Sequence, residues 1–403
     1  MRSLRRIAVL AHASVLDGSD LARRVVDLAI ALRRHAIAPE VAVWTVESPR
    51  ALRRRDARVA LSAALGAAGV GLEIVHAWPR GLGLARVSDR VAAHAIARLL
   101  ARRGADVLHA HGPRATRTAL EAAAGGVPVV TDVFGDRAAE ARLARGDVPD
   151  LGAAPTPEDA AAVREAAGAV YASEALAARF PVSASRPTAV VPRVVADERI
   201  PSDEVAEAER AARRKAMGLS GEERVVACAG AVAREDVGRL ARIVRHLVER
   251  VPQARFLVLS PDREGAERTL RAAGLAPGIA STAWAGGGDV VRALLGADAG
   301  VVLYRPALAH ALSFPAEFGE YLAAGLAVGV SDTVPALASR IAGAPALGFA
   351  LPYEADDGTW AARLSGAAKP SGAAERAARR AWARAHLSWS SAAPALRALY
   401  ERT

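Results

Sequence analysis

Cysteine, lysine and aromatic residues are scarce in this chain. Across 403 residues Cys228 stands alone, and Phe, Trp and Tyr together make up 4%. One thiol excludes an intrachain disulfide and a cysteine zinc cluster. Cys228 lies in an apolar run and reads as buried filler. No stretch of eighteen apolar residues occurs, so no membrane-spanning helix is expected. Zinc-finger spacing, an RNA-binding aromatic pattern and blocks of five like charges are all missing, so nucleic acid is not an expected partner. An Asp-x-Asp motif is missing too, and no metal is expected. His109 and His111 alternate on one strand face, but without a third ligand they read as structural histidines.

What is present is a large, alanine-rich hydrophobic fraction of 52% and a net charge of +10. The length is too great for one ordinary core and implies two domains. Lys215 and Lys369 are the only lysines, so the positive charge is almost wholly arginine. Such a balance suits anionic ligands: nucleotide diphosphates, phospholipid headgroups or other phosphates. Arg2, Arg5 and Arg6 precede a short apolar run at 7–10, which predicts a first strand better than a signal peptide. Arg50, Arg54 and Arg58, with Arg53 and Arg55 beside them, would form a basic ridge on a helix over 52–65. That ridge is either a solvated face or a peripheral contact with an anionic membrane.

Short apolar runs alternate with helical periodicity over the first 140 residues and again from 224 onward. This pattern predicts parallel sheets covered on both faces. The Pro/Gly/Asp-rich stretch 145–158 predicts a loop, and a domain linker is placed near 192–200. The resulting division is 1–192, 200–375 and a C-terminal helix over 376–403 returning to the first domain.

One segment stands out. Ser313-Phe314-Pro315 predicts a capped helix start, Gly325 its end, and 326–330 a short buried strand. Glu320 sits inside this otherwise apolar helix. Backbone N–H groups at the helix start and a carboxylate one turn later suit a nucleotide, with diphosphate on the former and sugar hydroxyls on the latter. The segment resembles the nucleotide-sugar site of family 4 glycosyltransferases. Other pieces follow in the order and spacing of that family: Asp17-Gly18-Ser19 before a long helix, Asp106-Val107-Leu108-His109-Ala110-His111-Gly112, Val127-Pro128-Val129-Val130-Thr131, Asp298-Ala299-Gly300-Val301, and the C-terminal Ser388-Trp389.

The resemblance implies an α/β fold of two Rossmann-like domains facing across a cleft, the GT-B architecture. It also implies a retaining, metal-independent transfer of sugar from a nucleoside-diphosphate donor to a small-molecule, lipid or glycan hydroxyl. The donor is a substrate, and no cofactor is expected. Donor-binding candidates are Gly18, Gly230, Arg234, Glu317, Phe318 and Glu320. Asp17, Ser19 and His111 are acceptor-side candidates, and Asp132 and Asp136, read as loop carboxylates, are catalytic ones. The expected location is the cytoplasm, at most peripheral to the inner face of the membrane.

The chain departs from the family where cations are usual. Ala231 and Asp236 stand in place of the phosphate-binding Arg and Lys, Glu317 replaces a lysine, and Phe134 replaces a histidine. Losing one preorganised charge-stabilising donor costs roughly 3–4 kcal/mol of barrier. Arg234 is the expected replacement, with Arg193, Arg239 and Arg305 also on suitable loops. The alternative is a non-catalytic scaffold that binds a partner glycosyltransferase or a glycan.

Overall fold

The computed structural model describes residues 4–17, 19–76, 85–146, 152–219, 221–230, 236–276, 278–284 and 289–403. Gly18 and Arg234, both donor-binding candidates, lie outside the described residues, as does Ala231.

The chain divides into two compact units. The first comprises Met1–Ala138, Ala153–Pro192 and Trp389–Thr403; the second comprises Ala139–Gly152 and Arg193–Ser388. The last helical region is split accordingly. The helix Ala373–His386 stays with the second unit, and the helix Trp389–Arg402, which carries Pro394 in its interior, belongs to the first. The returning element therefore begins at Trp389, not at 376.

In the first unit seven strands run in chain order: β1 Arg6–Ala11, β2 Glu40–Glu47, β3 Val70–His76, β4 Val107–His111, β5 Val129–Val133, β6 Gly168–Tyr171 and β7 Thr188–Val190. They form one parallel sheet in the order β3-β2-β1-β4-β5-β6-β7. Strands β4, β5 and β6 are buried at every position, as expected where helices cover both faces. Ala8, Leu10, Leu108 and Ala110 pack with Ala92, Ile96, Ala115 and Ala119 of two helices, Ala85–Arg103 and Pro113–Ala123. Helices start where a hydroxyl can accept a free N–H: Ser19 caps Asp20–Arg34, and Ser173 caps Glu174–Arg179.

The second unit holds β8 Arg224–Ala229, β9 Ala254–Leu259, β10 Ala280–Ala283, β11 Ala299–Val302, β12 Ala327–Ser331 and β13 Gly348–Leu351, parallel in the order β10-β9-β8-β11-β12-β13. Asp298 anchors the base of β11. It accepts the Val225 N–H and pairs with Arg210 and Arg214 of the helix Asp203–Ala216.

Several local expectations are corrected. The predicted helix over 52–65 is two helices, Pro49–Leu52 and Arg55–Ala67, with Arg54 at φ −77°, ψ 68° between them. Arg50, Arg54 and Arg58 therefore do not form one continuous helical ridge. Residues 137–145, where no helix was predicted, form the helix Arg137–Arg145. Ser313 does not cap its helix: it ends a short helix, Leu308–Leu312, and its hydroxyl donates to the His310 carbonyl. The following helix, Ala316–Ala323, has Pro315 at its N-cap with no side-chain cap hydrogen bond.

That helix is held by Tyr321. β8 and β11 pair only at Ala299↔Val226 and Gly300↔Ala227, then separate. The fully buried Tyr321 hydroxyl accepts the Ala229 N–H at 2.7 Å and donates to the Val301 carbonyl at 3.3 Å, satisfying one backbone group of each parting strand. Its ring lies over Gly300, where an added Cβ would come within 2.4 Å of the ring. Tyr321→Phe strands two buried backbone groups and is expected to cost about 1–3 kcal/mol. Gly300→Ala is expected to destabilise further by displacing the ring. Urea denaturation of both variants checks this order.

Candidate active site

Ligands of open parallel sheets bind outside the carboxyl ends of the strands, at the point where strand order reverses. Each unit has one such point: β1/β4 in the first and β8/β11 in the second.

In the first unit the register aligns Ala11, His111 and Asp132 in one row at the carboxyl end of β1, β4 and β5. Asp132 is not a loop residue. It lies within β5 and is fully buried. Arg24, from the helix Asp20–Arg34, grips it with two hydrogen bonds of 2.9 and 3.0 Å and reaches the Val191 and Pro192 carbonyls. His111 Nδ1 lies 2.9 Å from Asp132 Oδ2, and its ring stacks on Phe134 with centroids 4.2 Å apart. His109 sits 3.8 Å from Asp132, too far for a hydrogen bond, and uses Nδ1 for the Tyr400 hydroxyl at 2.7 Å. The C-terminal helix is thereby tied to the centre of the sheet.

These contacts set the charges. Burial alone would raise the Asp132 pKa, but Arg24 and the two histidines override it and hold the carboxyl well below its ordinary value. Burial pushes His111 below 6.5 against the pull of Asp132. Burial, then the Asp132 charge, pushes the Tyr400 hydroxyl well above 10. Asp136, also buried, accepts the Ala138 N–H and pairs with Arg179 at 2.5 Å. Both catalytic candidates are thus ion-paired and closed off from solvent.

The acceptor-side candidates are dispersed in role. The exposed Asp17 accepts the Ser19 N–H, closing a turn, and the Ser19 hydroxyl is spent on the Ala22 N–H. Glu47, at the end of β2, holds the same loop by accepting the Val15 N–H. His111 keeps Nε2 buried and without a hydrogen-bond partner.

In the second unit Gly230 directly follows β8 at φ +135°, a conformation that favours glycine, and donates to the Leu259 carbonyl. After β11 come Tyr304 and Arg305, then the helix start at Ala316. Arg305 is exposed, and its guanidinium has no partner among the described residues. Glu317 and Glu320 are half-buried on the Ala316–Ala323 helix. Phe318 is corrected: its side chain is fully buried, edge-on to Phe314 and Trp382, and it serves the core. Only its backbone N–H, in the first turn, is left for a ligand.

The charge of Asp236 is absorbed locally. The residue caps the helix Val237–Arg250 through the Arg239 N–H and accepts the Tyr353 hydroxyl at 2.8 Å. Arg239 is not available as a phosphate clamp. It is buried, bonded to Asp357 at 2.9 Å and to the Tyr353 and Ala355 carbonyls. No metal-capable cluster of three His, Cys, Asp or Glu residues occurs among the described residues. Nor is any described helix long and apolar enough to cross a membrane.

Sequence reasoning missed Arg24, Tyr400 and Tyr321. The Arg23–Arg24 pair, set among apolar residues of the helix Asp20–Arg34, was the only visible signal for Arg24, while Tyr400 has no sequence mark.

No family model matches the chain, and no curated protein matches it by sequence. Solved structures do match over nearly its whole length. Sucrose-phosphate synthase from Thermosynechococcus elongatus is 14% identical, covering 99% of this chain and 98% of its own, with a TM-score of 0.70. Anabaena HepE, solved with UDP and glucose, is 12% identical, covering 98% and 99%, with a TM-score of 0.68. WaaG, a glycosyltransferase involved in lipopolysaccharide biosynthesis, is 16% identical, covering 94% of each chain, with a TM-score of 0.61. At these identities the likeness establishes the fold: two Rossmann-like α/β units of the kind found in GT-B glycosyltransferases.

Two outcomes are expected for the first unit. Arg24→Met leaves Asp132 buried without its cation and costs about 3–5 kcal/mol, measured by urea denaturation. The second concerns pH. The fold favours neutral His111, so below its unfolded value of 6.5 the unfolded chain binds more protons, and stability drops as pH falls from 7 to 5. His111→Gln removes that part of the drop. The Asp132 contribution is present above 3.8 and is lost only as pH falls through its lower folded value.

Proposed function

We propose that this protein is a glycosyltransferase that moves a sugar from a nucleoside-diphosphate donor to an acceptor hydroxyl, without a metal and with retention of configuration as the family 4 resemblance implies. One observation carries the reading: the arrangement at the β8/β11 switch point. Gly230 at φ +135°, the exposed Arg305, whose guanidinium has no partner among the described residues, and a helix start without a side-chain cap all belong to the carboxyl ends of those two strands. A helix N-terminus and a free guanidinium suit a diphosphate, whose leaving charge they would stabilise. Glu320, one turn into the helix, would accept the ribose hydroxyls. In transfer, the acceptor oxygen bonds the anomeric carbon, the carbon–diphosphate bond breaks, and the hydroxyl proton passes to the departing diphosphate oxygen. HepE was solved with UDP and glucose, which makes UDP the first nucleotide to try.

The first unit would take the acceptor on the loop holding Asp17 and Ser19 and on His111. In this reading Asp132, within β5, and Asp136, in the loop after it, serve as structural anchors, because adjacent arginines keep both ion-paired.

A second reading, a binding scaffold without catalysis, draws on the fate of Asp236 and Arg239. The first is a helix cap and the second a structural cross-link, so neither supplies a phosphate clamp.

Thermal shift against UDP, GDP and dTDP tests the donor site. A ligand at a hundred times its Kd is expected to add about 2.7 kcal/mol. Arg305→Ala should weaken binding about tenfold, the loss of one charged hydrogen bond. Glu320→Gln should weaken nucleoside diphosphates but not inorganic pyrophosphate. A flat response to all three nucleotides removes the donor site. Nucleotide binding without hydrolysis of the matching sugar nucleotide supports the scaffold.

A further inference from the structure

The first unit contains a cavity of about 440 Å³ lined by Arg86, Arg90, Arg114 and Arg117, with Asp89 and Glu121. It lies where two helix starts meet, Ala85–Arg103 following β3 and Pro113–Ala123 following β4. Arg114 is tied to the end of β1 by donating to His12 Nε2 at 2.7 Å, and it pairs with Asp89 at 2.7 Å. Arg117 pairs with Asp159 at 2.6 Å. Arg86 and Arg90 are exposed, four residues apart on one helix, and neither has a partner among the described residues.

This is the wrong charge for such a place. The first turn of a helix carries the positive end of its dipole and favours acidic residues. Neither helix has an acidic residue there. Instead both bring arginines, and like charges at i and i+4 repel. Asp89 is already engaged by Arg114, and Glu121 lies a turn farther along its helix. Among the described residues no acid pairs with Arg86 or Arg90. A larger cavity of about 720 Å³, lined by Arg6, Arg33, Arg102 and Arg103, differs on this point, since Glu40 pairs with Arg6 and Glu73 with Arg103. It also lies by Arg6 and Glu40, which head β1 and β2, at the opposite end of the sheet from the switch point.

We propose that this cavity binds the phosphate of a phosphorylated acceptor, with Arg86 and Arg90 as its free ligands and Arg114 as the fixed one. The proposal rests on the glycosyltransferase reading for the word acceptor, while the anion site itself does not depend on it. The volume admits a group the size of a sugar phosphate. The phosphate arrives either on a free sugar or on a lipid headgroup, and both present the same oxygens.

The test is calorimetric titration of the full chain with glucose 6-phosphate and with glucose, and co-sedimentation with vesicles of phosphatidylcholine and phosphatidic acid in equal parts. Wild type, R86Q/R90Q and a control, R245Q/R250Q, are compared, with UDP, GDP and dTDP titrated into each. The expected result is preference for the phosphorylated sugar or for the acidic vesicles, weakened at least tenfold in R86Q/R90Q and unchanged in the control. Sugar-phosphate binding assigns a free acceptor, and vesicle binding alone assigns a lipid. The proposal is overturned if wild type binds neither, or if the control loses as much as R86Q/R90Q. Nucleotide affinity separates the two claims. Failure of UDP, GDP and dTDP alike to bind any form ends the donor reading and leaves the phosphate site standing, whereas nucleotide binding with no phosphate preference does the reverse.

Discussion

The second unit depends on one hydroxyl. Two parallel strands that have just stopped pairing leave an N–H and a carbonyl facing the interior, and unsatisfied buried groups of this kind cost as much as a lost hydrogen bond. Tyr321 meets both, at Ala229 and Val301, from a helix that lies across the gap. The strands can therefore part without penalty, and parting is what opens the carboxyl end of the sheet to a ligand. The same contact fixes the rotation of the helix. Tyr321 and Phe318 point inward, and Glu317 and Glu320 are left half-exposed on the remaining face. Gly300 is the matching concession: any side chain there would occupy the space of the ring.

The first unit spends its charge differently. Asp132, Arg24, His109, His111 and Tyr400 lie on strands β4 and β5 and on two helices distant in sequence. A buried ion pair adds little net stability over an apolar pair, but removing one partner is expensive. Its effect is to specify which helix docks where. The Trp389–Arg402 helix could slide on an apolar surface, and a hydroxyl seated on a buried histidine prevents that.

This explains what the sequence did and did not reveal. Alternating apolar runs made the parallel strands legible, because burial on both faces leaves little freedom in composition. Gly325 and the strand after it were legible for the same reason. The roles of polar residues were not. Asp132 and Asp136 read as chemistry, since carboxylates beside an aromatic in an expected loop resemble an active site, while their partners Arg24 and Arg179 sit 108 and 43 positions away. Ser313 read as a cap, but a second short helix before it, with no periodicity of its own, took its hydroxyl. Arg239 read as a free cation because nothing local shows that Asp357 will lie against it.

The same reasoning decides whether the missing Arg and Lys matter. A cation contributes to a diphosphate by being near it and unspent, not by standing at a particular place in a motif. Asp236 would oppose a phosphate if its charge were free, but a helix N-terminus and the Tyr353 hydroxyl already hold it. Arg239 would help if it were free, and it is not. Arg305 has no partner among the described residues and lies just beyond the end of β11, the strand that parts from β8 at Tyr321. On the proposed reading, the positive charge would lie on the β11 side of the switch point in place of the β8 side, and the helix start would supply part of the potential through its backbone in either case.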